Sequence, residues 1–262
     1  MQDKNYIQPF RMYGNVYFVG SRKVSVHIIK TQAGLVMIDT GYPDMYQQIL
    51  ENMQALELDP KDICAIFHSH GHIDHFGCTL RFKALSGAKT YISRIDNPIV
   101  NGTLDLSWAK ELELPDYEKF DCDCLIEDGD SFTFGSTVIR CRLTPGHTDG
   151  TLSFFINAED GEKTLTAGMH GGIGRNTLQA AFLNAYGLSF ECREAYRKSL
   201  HILREETVNL VLGNHPGQTG TEDKLRRILA GETLGDQGEE WQAFLRCTEA
   251  ALDKFLETEN QQ

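Results

Sequence analysis

The run His70-Gly71-His72-Ile73-Asp74-His75 constrains this chain more than any other stretch: four side chains able to bind a metal fall within six residues, directly after the apolar run Ile63 to Phe67. Neutral imidazole nitrogen suits zinc. Structural zinc sites usually close the ion off with thiolates, whereas histidines with a carboxylate leave a position for water, so the composition points to catalysis. His70 and His72 are two apart and, in extended chain, project to one side. Gly71 between them lets the backbone pass close to an ion. Asp74 and His75 lie in a turn before a helix expected over Phe76 to Leu85, and address the same space from another direction, with room for a second ion. Two further histidines in glycine-containing turns, His147 and His215, could complete such a pair of sites. His68, two residues before the motif, reads equally well as a hydrogen-bonded histidine at the strand end.

The rest of the composition narrows the class. With 262 residues a sizeable core is available. The balance of 25 basic against 37 acidic residues gives a formal charge of −12, which opposes binding to a phosphate backbone, so nucleic acid is excluded as a partner. Seven cysteines, scattered without a CxxC pair, fit buried thiols in a reducing compartment. The polar start, Met1 to Pro9, has no apolar core of a signal peptide, and no run reaches the ~18 residues of a membrane span. As written, the chain reads as a cytoplasmic protein without a membrane partner and, by default, a monomer. A leader trimmed from the sequence would instead place it in the periplasm or outside the cell.

Along the chain, strands are expected at Val16 to Val19, Val24 to Lys30 and Leu35 to Ile38, a meander closed by Asp39-Thr40-Gly41. A helix opens at Pro43-Asp44, with Ile49, Leu50, Met53 and Leu56 at helical spacing. The strand carrying the metal motif, its helix, and a strand over Lys89 to Ser93 give the β/α alternation of a layered sheet. Arg94 to Lys119 has no firm period and reads as a lid, a substrate wall or a surface excursion. Strands resume at Cys122 to Ile126, Phe132 to Phe134, Val138 to Leu143, Thr151 to Ile156 and Thr164 to Ala167. Helical spacing over Phe190 to Arg204, a strand over Val208 to Leu212, and helices over Leu225 to Ala230 and around Trp241 to Phe255 complete the chain. His147, in Pro145-Gly146-His147-Thr148, and His215, in Gly213-Asn214-His215-Pro216, repeat one pattern of strand, glycine turn and histidine. The two halves share this composition, and no linker separates them, so residues 1–262 are expected to form a single domain with metals between the edges of two similar halves.

The HxHxDH run, the PGHT turn and the terminal His215 resemble the metallo-β-lactamase superfamily over nearly the whole chain. The resemblance implies an α/β (α+β) fold, a four-layer αββα sandwich. Pro9-Phe10-Arg11, Gly14 to Tyr17, Ile38 to Gly41 and Asn214 to Gly217 look like class B β-lactamases of subclass 3. Many other branches carry a Gly-Asp pair after the strand ending at Ala167, whose Asp bridges two metals. This chain has Gly168-Met169 there, as some subclass 3 members do.

Carried over by position, the resemblance implies two Zn2+ per chain, the first held by His70, His72 and His147 and the second by Asp74, His75 and His215. It places Met169 and Gly171 where many members have serines that meet the substrate carboxylate, a departure that sets this chain apart. His170 between them falls in the substrate pocket or behind it, or serves as a replacement ligand. Asp39 orients a ligand imidazole from behind, or caps the turn that ends its strand. The implied activity is a zinc-dependent β-lactam hydrolase in which water activated by the metals opens the lactam ring and Asp74 orients that water. The alternative is a related dizinc hydrolase of lactones, thioesters or other esters. A catalytically silent zinc sensor, its ligand set closed by His170, is a third reading.

Overall fold

The period-two patterns of this chain bury both faces of its strands, so each sheet must be covered twice. In the computed structural model, which describes residues 4–259 apart from 115, 162 and 236, Val36 and Ile38 point to one core, while Leu35 and Met37 on the same strand point to another. Phe154 and Ile156 split from Phe155 in the same way. The two sheets therefore pack face to face around a shared core, each with helices on its outer side.

The first sheet has the order β1-β2-β3-β4-β5-β6-β7, formed by Phe10–Tyr13, Val16–Phe18, His27–Thr31, Gly34–Ile38, Ile63–Phe67, Lys89–Ser93 and Cys124–Ile126. The second has the order β12-β11-β10-β9-β8, with β8 Ser131–Phe134, β9 Thr137–Leu143, β10 Leu152–Asp160, β11 Lys163–His170 and β12 Leu210–Gly213. Each begins as an antiparallel meander and ends in parallel crossovers, β4 to β7 in one and β11 to β12 in the other. Helices α1 (Tyr46–Ala55), α2 (Ile73–Phe76), α3 (Thr79–Ser86) and α4 (Asn97–Val100) belong to the first half. Helices α5 (Ala180–Tyr186), α6 (Glu191–Leu203), α7 (Thr221–Leu229) and α8 (Glu239–Glu259) belong to the second. Ile49 and Met53 of α1, one helical turn apart, and Phe82 of α3 cover the first sheet; Tyr196 and Leu200 of α6 with Trp241 and Leu245 of α8 cover the second. The result is the expected αββα sandwich.

Several boundaries differ from the sequence reading. The helix expected over Phe76 to Leu85 is two pieces, α2 and α3, because the chain at Gly77 packs against Pro43; a Cβ there would lie 2.5 Å from the proline Cδ. The strand expected from Val24 starts at His27. Strand β1 and helix α5 carry too short a pattern to be read from sequence, and β10 and β11 run on as a long hairpin paired from Phe154–Met169 to Asp160–Lys163. All seven cysteines are free, but only Cys78, Cys122 and Cys141 are buried as expected; Cys64, Cys124 and Cys192 are half-buried and Cys247 is exposed. The span 1–262 read as one domain includes three residues at each end that lie outside the described residues. Among the described residues, no helix is long and apolar enough to cross a membrane.

Candidate metal centre

Parallel pairing puts the C-terminal ends of β4 and β5 side by side, and likewise those of β11 and β12. Asp39 follows β4, His68 to His72 follow β5, His147 follows β9 and His215 follows β12. The short helix α2, which begins directly after the extended His72, supplies Asp74 and His75. Residues far apart in sequence thus meet at one edge of the sandwich.

They meet as two groups that could each hold a metal ion, His70 with His72 and His147, and Asp74 with His75 and His215, the ligand atoms within 4.8 Å of one another in each. In the first group His72 Nδ1 lies 3.0 Å from His70 Nε2 and 3.1 Å from His147 Nε2. In the second, Asp74 Oδ2 lies 3.4 Å from His75 Nε2 and 3.6 Å from His215 Nε2. The rings of His70 and His75 are 4.2 Å apart, so the two groups abut.

The far nitrogens decide whether this arrangement fits a cation. His147 Nδ1 donates to the Gly174 carbonyl at 2.9 Å, and His215 Nδ1 donates to the Lys23 carbonyl at 2.7 Å. His75 Nδ1 donates to Asp39 Oδ2 at 2.8 Å. Ser69 donates to Asp39 through both its amide and its hydroxyl, so its oxygen is left to accept from His70 Nδ1 at 3.1 Å. Each of these imidazoles therefore carries its proton on the outer nitrogen and turns a lone pair inward. His72 Nδ1 stands about 3 Å from the inward lone pairs of both His70 and His147, so a single proton on it can satisfy only one of them whereas a cation satisfies both, and His75 Nε2 is buried with no hydrogen-bond partner at all. Zinc–nitrogen bonds of ~2.0–2.1 Å in a tetrahedron hold neighbouring nitrogens about 3.3 Å apart. The donor set and its spacing fit zinc.

The electrostatics agree. Burial, and then the neighbouring histidines, drive His70 and His72 well below the ordinary imidazole value, and burial takes His147 down to about 4. Burial also lowers His215. At His75 burial pulls the same way, but the carboxylates of Asp74 and Asp39 outweigh it and the net shift is upward. Asp39 is held below the usual carboxylate range, because His75 and the two Ser69 donors outweigh its burial. His70, His72, His147 and His215 are thus held toward the neutral form that metal binding requires, while the proton that His75 keeps more tightly is one that a bound ion must displace.

The structure also brings in residues that the sequence did not mark. Asp96, fully buried, accepts from the Gly71 amide at 2.9 Å, the Gly150 amide at 2.9 Å and the Thr148 hydroxyl at 2.7 Å. It thereby ties the loop of His70 and His72 to the turn of His147. Asp96 lies in the stretch without period, where no pattern singles it out, and Ser69 was hidden between two histidines. His68 is a hydrogen-bonded histidine at the strand end: Nδ1 donates to the Tyr91 carbonyl at 2.9 Å, and Nε2 is 2.7 Å from the Thr79 hydroxyl.

A cleft of about 290 Å³ opens onto both groups, lined by Tyr42, Trp108, Asn176 and Asn214 besides the candidate ligands His72, Asp74, His75, His147 and His215. Met169, His170 and Gly171 are not on its wall, which corrects their placement in the substrate pocket. Met169 is 1% exposed in the core between the sheets, and His170 faces the other way, its ring 6.0 Å from that of Tyr196. Gly171 passes so close to β10 that a Cβ would stand 1.9 Å from the Leu152 carbonyl oxygen. The alternation of β11 sends Met169 and His170 into packed layers and away from the cleft. His170 belongs to neither candidate ligand group.

A model of the metallo-beta-lactamase superfamily matches residues 19–161. The fold is similar to that of BJP-1, a subclass B3 metallo-beta-lactamase of Bradyrhizobium japonicum, with a TM-score of 0.85 and 24% identity over 98% of this chain and 96% of that one. A metallo-beta-lactamase from Cronobacter sakazakii with a mutated HARLDQ motif superposes with a TM-score of 0.84 at 27% identity, over 98% of this chain and all (100%) of that one. In sequence, a persulfide dioxygenase, the mitochondrial ETHE1 of Homo sapiens, is 33% identical over 113 residues, 43% of this chain and 36% of that enzyme. On the family match, with the fold and paired ligand groups that accompany it, this chain belongs to the metallo-beta-lactamase superfamily.

Proposed function

We propose that this chain is a dizinc hydrolase that opens the amide bond of a β-lactam ring. The observation that carries the reading is the pair of abutting ligand groups, each with three protein donors, at the floor of an open cleft. A set of three leaves a position for water, as catalytic zinc sites do. The fold likeness to subclass B3 enzymes supports the lactam as substrate.

Zinc bound at such a site supplies an acidified water at neutral pH and polarises a carbonyl. The chain's own residues do the rest. Ser69 and Asp39 hold His70 and His75 with their lone pairs inward, and Asp96 fixes the distance between the two loops that carry the first group. Asp74 directs Oδ2 toward His75 and His215, which leaves its second oxygen to accept a hydrogen bond from the attacking water. In the overall step the water oxygen adds to the carbonyl carbon, the carbon–nitrogen bond breaks, and the nitrogen takes the proton. Because the residues concerned run from Asp39 to His215 and come from both sheets, the chain is proposed to act as one domain.

A second reading, hydrolysis of a lactone, thioester or other ester, is favoured by one observation. No Lys or Arg lines the cleft, and Met169, His170 and Gly171 offer no side chain to it, whereas β-lactam drugs carry a carboxylate that needs a partner. The test is zinc content and turnover on one preparation, with nitrocefin and a carbapenem beside neutral lactones, esters and thioesters, and with His72→Ala as the control. Lactam opening above the level of His72→Ala supports the first reading. Faster turnover of a neutral substrate than of any lactam supports the second, and zinc uptake without turnover of any of them sinks both.

A further inference from the structure

A cavity of about 370 Å³ lies behind the turn that carries His215, between that turn and helix α8. Gln218 lines both this cavity and the metal cleft, while none of the six candidate metal ligands lines it. The apolar part of its wall comes from Ile173, from Val211 of β12, and from Phe244 and Ala251 of α8.

The polar part is pinned in place. Lys224 is 3% exposed and donates to both the Thr219 carbonyl and the Glu240 carboxylate, which ties the turn after His215 to the start of α8. Arg175, half-buried on the same wall, enters no ion pair among the described residues. Arg175 and Lys224 against Glu240 leave one positive charge in excess here, in a chain whose formal charge is −12. A guanidinium held partly out of water beside apolar side chains gains most from a carboxylate, which it binds through two parallel hydrogen bonds.

Two more groups of the wall are unsatisfied. Gln218 Oε1 and Thr219 Oγ1 are buried without a hydrogen-bond partner, and each forfeits free energy by it. An amide in the cavity serves both once the two side chains rotate to meet it. Its N–H donates to Gln218 Oε1, and its carbonyl accepts from the Thr219 hydroxyl.

We infer that this cavity binds an N-acylated amino acid with an apolar side chain, its carboxylate on Arg175, its amide between Gln218 and Thr219, and its side chain against Val211 and Phe244. The site stands apart from the metal centre and does not depend on which bond that centre breaks. Loss of the carboxylate removes a charge-assisted pair, on the order of tenfold in affinity or more. Loss of the side chain costs about fourfold for each methylene that would have left water.

Calorimetric titration of the zinc-loaded protein tests this with four probes. N-acetyl-leucine carries every group; N-acetyl-leucinamide lacks the carboxylate, N-acetylglycine the side chain, and 4-methylpentanoate the amide. The expected result is one N-acetyl-leucine per chain, bound about tenfold or more tightly than the leucinamide or the glycine compound, and about threefold or more tightly than 4-methylpentanoate. Arg175→Gln lowers the affinity for N-acetyl-leucine to that for its amide, and Ala251→Phe, which fills the cavity, removes binding. Equal binding of the acid and its amide overturns the inference, as does an acid preference that Arg175→Gln leaves intact in a variant with the parent's melting temperature. Binding that survives Ala251→Phe but is lost in His72→Ala puts the acid on the metal centre, and overturns it too.

Discussion

Asp39 Oδ2 accepts a hydrogen bond from His75 Nδ1 at 2.8 Å, with both side chains about 1% exposed, so the lone pair on the other side of the ring is set by a carboxylate that contacts no ligand position itself. Asp39 holds a φ of 57°, a left-handed conformation that Asp and Asn tolerate better than other side chains. Asp39→Asn therefore keeps the backbone and removes the charge. The Ser69 donors lose an acceptor, and an amide group turned toward His75 would push its proton to the inner nitrogen. Zinc affinity at Asp74, His75 and His215 is expected to fall by ~10–100-fold, with a smaller change at the first group. Competition with a chromophoric chelator, reading the two binding steps separately, checks this; two unchanged steps would show that Asp39 only caps its strand.

Removing metal should cost stability, because the imidazole nitrogens converging on each group then face one another without a cation. Each ion that binds only the folded chain adds about 2.7 kcal/mol when free zinc is 100 times its dissociation constant. A chelator is expected to lower the melting temperature of the parent. His72→Ala, which breaks up the first group, should recover only part of the zinc-dependent gain. Calorimetric melting of both proteins across a zinc titration measures it, and a melting temperature indifferent to zinc would argue against metal at either group.

Much of this centre was legible in the chain because its ligands sit where local patterns end. His70 to His75 follow an apolar strand, and His147 and His215 each follow a strand and a glycine turn, so strand ends brought to one sheet edge were enough to pair them. Asp39 was readable for the same reason, lying at the end of β4. Asp96 was not, since its role depends on three donors from residues 71, 148 and 150 that only the tertiary fold assembles. Met169 and Gly171 were placed in the pocket by the resemblance alone; the pleat of β11 turns Met169 into the core between the sheets and His170 toward Tyr196, and Gly171 follows the strand against the Leu152 carbonyl.

The end of α1 offers a stability test remote from the site. Glu57 has a φ of 56° and closes a left-handed helix cap, with its amide bonded to the Gln54 carbonyl at 3.0 Å and the Leu58 amide to the Met53 carbonyl at 3.0 Å. Glu57 is exposed, while Leu58 beyond it is buried. Glycine adopts this conformation without the steric cost of about 1 kcal/mol or more that a Cβ brings, offset in part by its greater freedom when unfolded. Glu57→Gly is expected to stabilise the protein by about 0.5 kcal/mol, read as a raised urea midpoint at unchanged slope. A lower midpoint would mean that the cap carries no strain.

Asp96 links stability to pH with a sign opposite to that of an ordinary salt-bridged carboxylate. Burial pushes its carboxyl up from 3.8 to about 6, against the hydrogen bonds from Thr148, Gly71 and Gly150, which favour the ionised form. A group that holds its proton more tightly when folded contributes stability that is fully present below the unfolded value, near 3.8, and is lost as pH rises through about 6. The rise corresponds to about 3 kcal/mol for this buried group. Asp96→Asn cannot titrate, and the histidines that titrate in the same range are common to both proteins, so their effects cancel in the comparison. The difference in unfolding free energy, parent minus variant, should therefore decline by about that amount between pH 4 and pH 7 and be flat above it. Urea unfolding of metal-free parent and variant at half-unit pH steps measures the difference, and a difference that grows with pH would mean that the three donors, and not burial, govern Asp96.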